Sequence, residues 1–434
     1  MRLPQGWTKT TLGDLAHWGS GGTPKASNHA FYGGTIPWVR SGDLPDGPIT
    51  AHEVTISEEG YANSSAKWVS EGAVLIAMYG ATIGKLGITT YPVTTNQAVA
   101  FIQPAEGISN RFIFQNLRSR KANFIALGQG GAQPNISQEI LRAQPILLPP
   151  SAEQRRIVAK LDALTARLAR ARAELDRVPV LARHLRDVAL TAAFDGLLIE
   201  EAGPTKSEWV SVPFRDAADI ASNLVDPRTI GALPHIAPNH IASGLPHLLS
   251  HNTIAEDKVI SGKHRFYPGQ ILYSKIRPYL RKVVLVDFEG ACSADMYPIN
   301  ARCNSRYLMY WMLSPQFTWL AAQQQGRTIL PKINQNALNA IITPLAPKHI
   351  QAAIADRLNN IFARADRLEA EAIRARALID RLEAAILAKA FRGELVPQDP
   401  DDEPASVLLD RIRAERAAAP KVKRGRQAKA TSGN

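Results

Sequence analysis

The side chains of this chain best suited to chemistry are basic and amide groups set among glycines, prolines and aromatics. Before residue 150 they are Thr23, Lys25, Arg40, Ser41, Lys67, Tyr79, Lys85, Asn96 and Gln97. Between residues 199 and 346 they are Lys263, Arg265, Lys275, Arg277, Tyr279, Arg281, Lys282 and Arg327. Arg and Lys pair with phosphates or with the guanine edge, and Asn or Gln with the adenine edge. These types therefore suit both positioning on a duplex and reading it. Lys275–Lys282 (KIRPYLRK), basic with an interleaved Tyr, is the densest group. Singly, each is matched by the plain reading of a solvated surface charge, so the aggregate carries more than its members. The formal net charge of +12, from 51 basic and 39 acidic residues, points the same way, towards a polyanionic partner.

Other chemistry is poorly served. Gly80–Lys85 (GATIGK) has three residues between its glycines and Leu86 after the lysine, where a phosphate loop needs four and then Ser or Thr. Its backbone could still approach a DNA phosphate. Five histidines fall between His235 and His264, without the paired spacing and acidic or Cys partners of a metal site. Cys292 and Cys303 alone cannot form a disulfide framework or a zinc quartet. No Asn-Pro-Pro-Tyr-type sequence, glycine-rich cofactor fingerprint or nuclease-like acidic cluster is present. The chain carries binding features and no catalytic or metal-ligating constellation.

At 434 residues, 45% hydrophobic and 21% charged, the composition is that of a globular protein of two or three domains. No apolar run reaches membrane-spanning length, and the first ten residues lack the apolar segment of a signal peptide, so the expected location is cytoplasmic.

The elements that must position the candidate residues come in two materials. Residues 1–150 and 199–346 are rich in Gly, Pro, Thr and aromatics, with short apolar runs such as Ala73–Ala77 bounded by turn residues. Both read as α+β domains of short strands. Trp7, Trp38 and Trp68 are expected to pack in cores or turns. Residues 151–198 and 347–396 are long helices instead. Ile157, Leu161, Leu164, Leu168, Leu175 and Leu185 form an apolar stripe in steps of three and four, as do Ile354, Leu358, Ile361, Leu368, Ile379, Leu382 and Ile386. Such stripes predict a coiled-coil core.

The two halves match at a constant offset of 197 residues. Gln154, Ile157, Leu161, Phe194 and Gly196 recur as Gln351, Ile354, Leu358, Phe391 and Gly393. Gly196 and Gly393 are placed to cap the helices in the left-handed conformation. Pro179 has no counterpart, since Arg376 occupies its place, and should kink or break the first helix. Residues 397–434 read as an acidic linker, a short helix over Ala405–Ala418 with Val407, Leu408 and Ile412 on one face, and a basic tail. Two scaffolds of one kind carrying different loops should recognise two different things.

The order of several short motifs resembles the specificity subunit of type I restriction–modification systems. The carriers are Leu3-Pro-Gln-Gly-Trp7, Gly22-Thr-Pro24, Ile36-Pro-Trp38, Leu147–Gln154 (LLPPSAEQ), both Ala-Phe-x-Gly helix ends and Gly393-Glu-Leu-Val-Pro397. The match spans almost the whole chain. It departs from the pattern where Val225-Asp226-Pro227 stands in place of a second Gly-x-Thr-Pro. The resemblance implies two homologous target recognition domains separated by a pair of long antiparallel helices. Each domain would read one half of a bipartite, asymmetric DNA site. Methyltransferase subunits, bringing S-adenosylmethionine, would dock on the helices and the C-terminal segment, and restriction subunits would join through them. The chain itself would bind no cofactor and catalyse nothing. Rival readings are a stand-alone DNA-binding regulator and an enzyme with a divergent site.

Overall fold

The structure, a computed structural model, describes residues 3–128, 134–198, 206–323 and 331–418. It divides into two compact units, residues 1–173 with 376–434, and residues 174–375. These bounds differ from the segments read from the sequence, because each long helix is shared between the units.

In the first unit a five-stranded sheet runs in the order Ala16–Ser20, Val99–Pro104, Val74–Ala77, Leu86–Thr89, Gly47–Ile49. A four-stranded sheet holds Thr55–Ile56, Tyr32–Val39, Val93–Thr95 and Trp68–Val69. The central strand Val74–Ala77 and the first four residues of Val99–Pro104 are apolar runs buried on both faces, as their composition requires. Thr8–Thr11 pairs antiparallel with Pro145–Leu148, which delivers the chain to the long helix Ser151–Phe194. The helix Ala405–Ala418 packs into the same core through Leu408, Leu409 and Ile412. Val407, expected on its apolar face, is instead exposed. Trp7 and Trp38 are buried, but Trp68 is exposed, because its edge strand turns the indole outward.

The second unit repeats the plan. One four-stranded sheet is ordered Ala218–Ile220, Met296–Ala301, Ile271–Ser274, Val283–Leu285, and the other Leu224–Val225, Lys263–Phe266, Gly290–Cys292, His235–Ile236. Val210–Pro213 pairs with Ile342–Leu345 before the second long helix, Lys348–Ala390. The repeat extends to single hydrogen bonds. Ala77 N–H donates to Lys85 O at 2.9 Å, and Ser274 N–H to Lys282 O at 3.0 Å. Gly80 N–H reaches Pro134 O, and Arg277 N–H reaches Pro331 O, both at 2.8 Å. Gln154 and Gln351 are buried and make equivalent bridges. The Gln154 amide donates to Pro149 O at 3.1 Å and accepts from Ser109 N–H at 2.9 Å; Gln351 does the same with Ala346 O at 2.7 Å and Asn304 N–H at 2.9 Å.

The long helices have 44 and 43 residues. Helical structure runs unbroken through Pro179, and Gly196 and Gly393, at φ 80° and 76°, end the last turns as left-handed caps. In each unit the two helix segments run antiparallel. In the first, Arg172 faces Glu383 while Leu161 shares a core with Leu387 and Ala390. In the second, Ala182 and Leu185 face Ala372 and Leu368.

The apolar stripes are not one buried seam. Ile157, Leu161, Ile354 and Leu358 are buried, but in the cores of the globular domains. Leu164, Leu168, Leu175, Ile361, Ile379 and Ile386 are half-buried. Leu185, Leu368 and Leu382, expected in the core, are 42–51% exposed. Two helices alone cover only the line of direct contact. In the second unit, Ala182 and Ala372 are too small to fill the seam, which opens into a groove of about 570 Å³.

Candidate nucleic-acid interface

In the first unit, four loops converge because hydrogen bonds join them. Gly22 N–H donates to Thr95 O at 2.9 Å, Asn96 N–H to Val39 O at 3.2 Å, and Met78 N–H to Ala98 O at 2.8 Å. The Lys85 ammonium donates to Gly42 O at 3.2 Å. The approach needs glycine. A Cβ on Gly21 would lie 1.8 Å from Thr95 O, and one on Gly22 would lie 2.4 Å from the Ala66 nitrogen. The glycines thus lay the loop carrying Thr23 and Lys25 against the loops carrying Lys67 and Gln97, where the Thr23 hydroxyl donates to the Gln97 carbonyl oxygen.

Seven of the nine residues singled out in this domain, Thr23, Arg40, Ser41, Tyr79, Lys85, Asn96 and Gln97, therefore sit on loops bonded into one cluster. Lys67 adjoins it, and Lys25 projects from it into solvent. They are not equally available. Arg40 grips Asp43 in a two-pronged ion pair at 2.9–3.0 Å, which raises its own pKa. Asp43 is desolvated, yet Arg40's hydrogen bonds and charge hold its carboxyl below the usual value. Lys25 and Lys67 are exposed. The Asn96 side-chain oxygen is buried without a partner among the described residues. Trp68, exposed beside Lys67, was missed; its place on an edge strand is a tertiary fact that composition does not carry.

In the second unit, Lys275, Arg277, Tyr279, Arg281 and Lys282 occupy the corresponding turn. Lys275 lies 5.1 Å from the centre of the Tyr297 ring, within cation–π range. Burial lowers the pKa of Lys275, aided by nearby Lys332, and burial alone lowers that of Lys282, whose ammonium donates to Pro238 O at 2.6 Å. Arg281 binds Asp187 at 2.5 Å, and Arg265 pairs with Glu289 beside the Tyr267 ring. Lys263 is a correction. It is buried, with its ammonium donating to Ser261, because the strand Lys263–Phe266 turns that side chain inward. Arg327 lies outside the described residues.

Arg277 and Arg281 adopt left-handed backbone, at φ 48° and 49°. Their counterparts 197 residues earlier are Gly80 and Gly84, at φ 61° and 77°. The second domain thus keeps the turn geometry and carries arginines where the first has glycines. Exposed Arg277 and Tyr279 have no side-chain hydrogen bond or ion pair among the described residues.

Among the described residues, no group of three or more His, Cys, Asp or Glu is placed to hold a metal. His235 Nδ1–H donates to the Asp257 carboxylate at 2.7 Å. Cys292 and Cys303 are both free thiols. No helix among the described residues is long and apolar enough to cross a membrane. The two loop clusters present cations, amides and exposed aromatic rings to solvent, a set able to contact phosphates and base edges.

The family model described as the type I restriction modification DNA specificity domain matches residues 4–177. The chain is 38% identical over 345 residues to the type I restriction enzyme EcoDI specificity subunit of Escherichia coli, covering 72% of this chain and 78% of that protein. It is 27% identical over 459 aligned positions to the Escherichia coli EcoBI specificity subunit, covering 96% and 94%. A chain from a structure addressing complex assembly and conformational transition of a type I restriction–modification system shares its fold. The TM-score is 0.68 at 20% identity, over 91% of this chain and 100% of that one. With its duplicated α+β domains, paired long helices and extended likeness to the EcoDI protein, the chain belongs to the family of type I restriction enzyme specificity subunits.

Proposed function

We propose that each domain reads one half of a bipartite, asymmetric DNA site through its own loop cluster. The observation that carries this is one backbone turn bearing different side chains in the two domains. Gly80 and Gly84 correspond to Arg277 and Arg281, and Asn96-Gln97 to Ser293-Ala294, at the same offset of 197. A shared scaffold with unlike reading groups suits two unlike half-sites. The long helices would set the unread spacer. Methyltransferase subunits would dock on them and on the C-terminal segment, supply S-adenosylmethionine and do the chemistry, with restriction subunits joining through them. The chain itself acts as a non-catalytic cytoplasmic adaptor.

The test is to map methylated adenines in cells carrying the system with the parent chain, with Asn96→Ala/Gln97→Ala, and with Arg277→Ala. Each variant should relax one half-site and leave the other unchanged. Loss of discrimination at both halves from either variant, or at neither from both, refutes the assignment.

A further inference from the structure

Each unit contains an ion-pair clamp between the long helices. In the first, the Arg172 guanidinium donates to Asp380 and Glu383, both at 2.6 Å. In the second, Arg186 donates to Asp366 at 2.5 Å and Glu369 at 2.6 Å. The Arg186 side chain is only 4% exposed and lies 5.8 Å from the Phe362 ring, so this pair is held in a poorly hydrated place.

The internal repeat relates the two clamps. Since 369 − 172, 380 − 183 and 383 − 186 all equal 197, Arg172 corresponds to Glu369, Arg183 to Asp380 and Arg186 to Glu383. Exchanging the halves converts the first Arg–Glu pair into the second with its charges reversed. The first helix is therefore basic at both clamp positions and the second acidic at both.

Two helices related by a repeat retain much of the shape needed to pair with copies of themselves. Here charge opposes that. A first helix packed on the first helix of another chain would set Arg172 against Arg183 and Arg186. A second helix packed likewise would set Glu369 against Asp380 and Glu383. Like charges directly opposed disfavour the wrong partner while opposite charges select the right one.

We propose that these clamps are a pairing code that closes each chain on itself and prevents exchange of helices between copies. The double reversal Arg172→Glu/Glu369→Arg inverts the code. Both helices become self-complementary. Within the chain, the new carboxylate at position 172 faces Asp380 and Glu383, and the new guanidinium at position 369 faces Arg186. The fourfold reversal Arg172→Glu/Arg186→Glu/Glu369→Arg/Glu383→Arg restores opposite charge across both Arg–Glu contacts, while Asp380 and Asp366 stay acidic beside the new carboxylates and keep the recovery partial. Arg118 also binds Glu383, at 2.5 Å, so the full-length variants are best built on an Arg118→Gln background.

Light scattering after size exclusion should give the 47.3 kDa monomer for the background chain and the fourfold variant. The double variant should form a dimer or larger species, or melt at a lower temperature, with the fourfold variant recovering more than half of any loss. High salt should weaken the contrast. Double and fourfold variants with the same mass and the same melting temperature would overturn the proposal. So would a background chain that already self-associates through these helices.

Discussion

The paired left-handed arginines make a prediction of opposite signs. A non-glycine residue in this region costs about 1–2 kcal/mol. Replacing it with glycine relieves that strain but costs about 0.5–1 kcal/mol through the greater freedom of the unfolded chain. For Arg277 nothing else is lost, because its backbone bond to Pro331 O at 2.8 Å survives and its side chain has no partner among the described residues. Arg277→Gly should therefore stabilise the second unit by about 0.5–1 kcal/mol, a rise of about 1–4 °C in Tm for a unit of this size. Arg281→Gly gains the same relief but strips half-buried Asp187 of its guanidinium partner at 2.5 Å. A hydrogen bond to a charged group is worth about 1.5–3 kcal/mol, so the net should be destabilising by about 1–2 kcal/mol. Urea denaturation of the full chain followed by tryptophan fluorescence measures both. If Arg277→Gly lowers the midpoint as Arg281→Gly does, the Arg277 side chain has a structural partner. Arg277 would then be a structural residue and not a side chain left free to contact DNA.

Other outcomes follow from features already described. Glu153 accepts a hydrogen bond from the Trp7 indole at 2.9 Å, and burial, outweighing that bond, raises its carboxyl pKa. Folding then favours the protonated form, so stability falls as pH rises from the unfolded value of about 4.3 through the raised folded value. Glu153→Gln keeps the acceptor without the charge. Its stability advantage over the parent should grow across that window and then level off, and a flat difference counts against the mechanism. Gln154→Leu and Gln351→Leu should each cost about 2–4 kcal/mol by orphaning a buried N–H and a carbonyl, as chemical denaturation will show. Removing one heptad from both long helices shortens each by about 10 Å and should shorten the spacer by about three base pairs with both half-sites intact. Methylation mapping that finds the old spacer rules out the helices as its measure.

The duplication was legible because it rests on residues whose types the backbone dictates. Gln154 and Gln351 recur where a helix start must be stitched to a neighbouring segment, and Gly196 and Gly393 where a left-handed cap ends a helix. The first loop cluster was also largely legible, since Asn96, Gln97 and Lys85 stand at turns between apolar strands. What escaped depends on facing elements. Lys263 looks like any basic loop residue until its strand registers against Gly290–Cys292 and turns it inward. Leu368 and Leu382 follow the helical stripe faithfully, yet what lies opposite each leaves them exposed. The match of Arg277 with Gly80 was present in the offset arithmetic, but its meaning required the backbone angle. The clamps were hidden because each helix, read alone, shows only ordinary charges.

The seam between the ends of the chain has a consequence for synthesis. Ala405 N–H donates to Gly6 O at 2.8 Å, and Arg416 donates to Gly13 O and Ala16 O. The segment around Gly13 and Ala16 emerges from the ribosome some 400 residues before the Arg416 that seals it. Until then the first reader's apolar underside stays open, a ready target for a holdase chaperone. A nonsense codon between residues 376 and 404 would thus injure most directly the earlier of the two domains, while the second unit, whose residues end at 375, would keep all of its own parts.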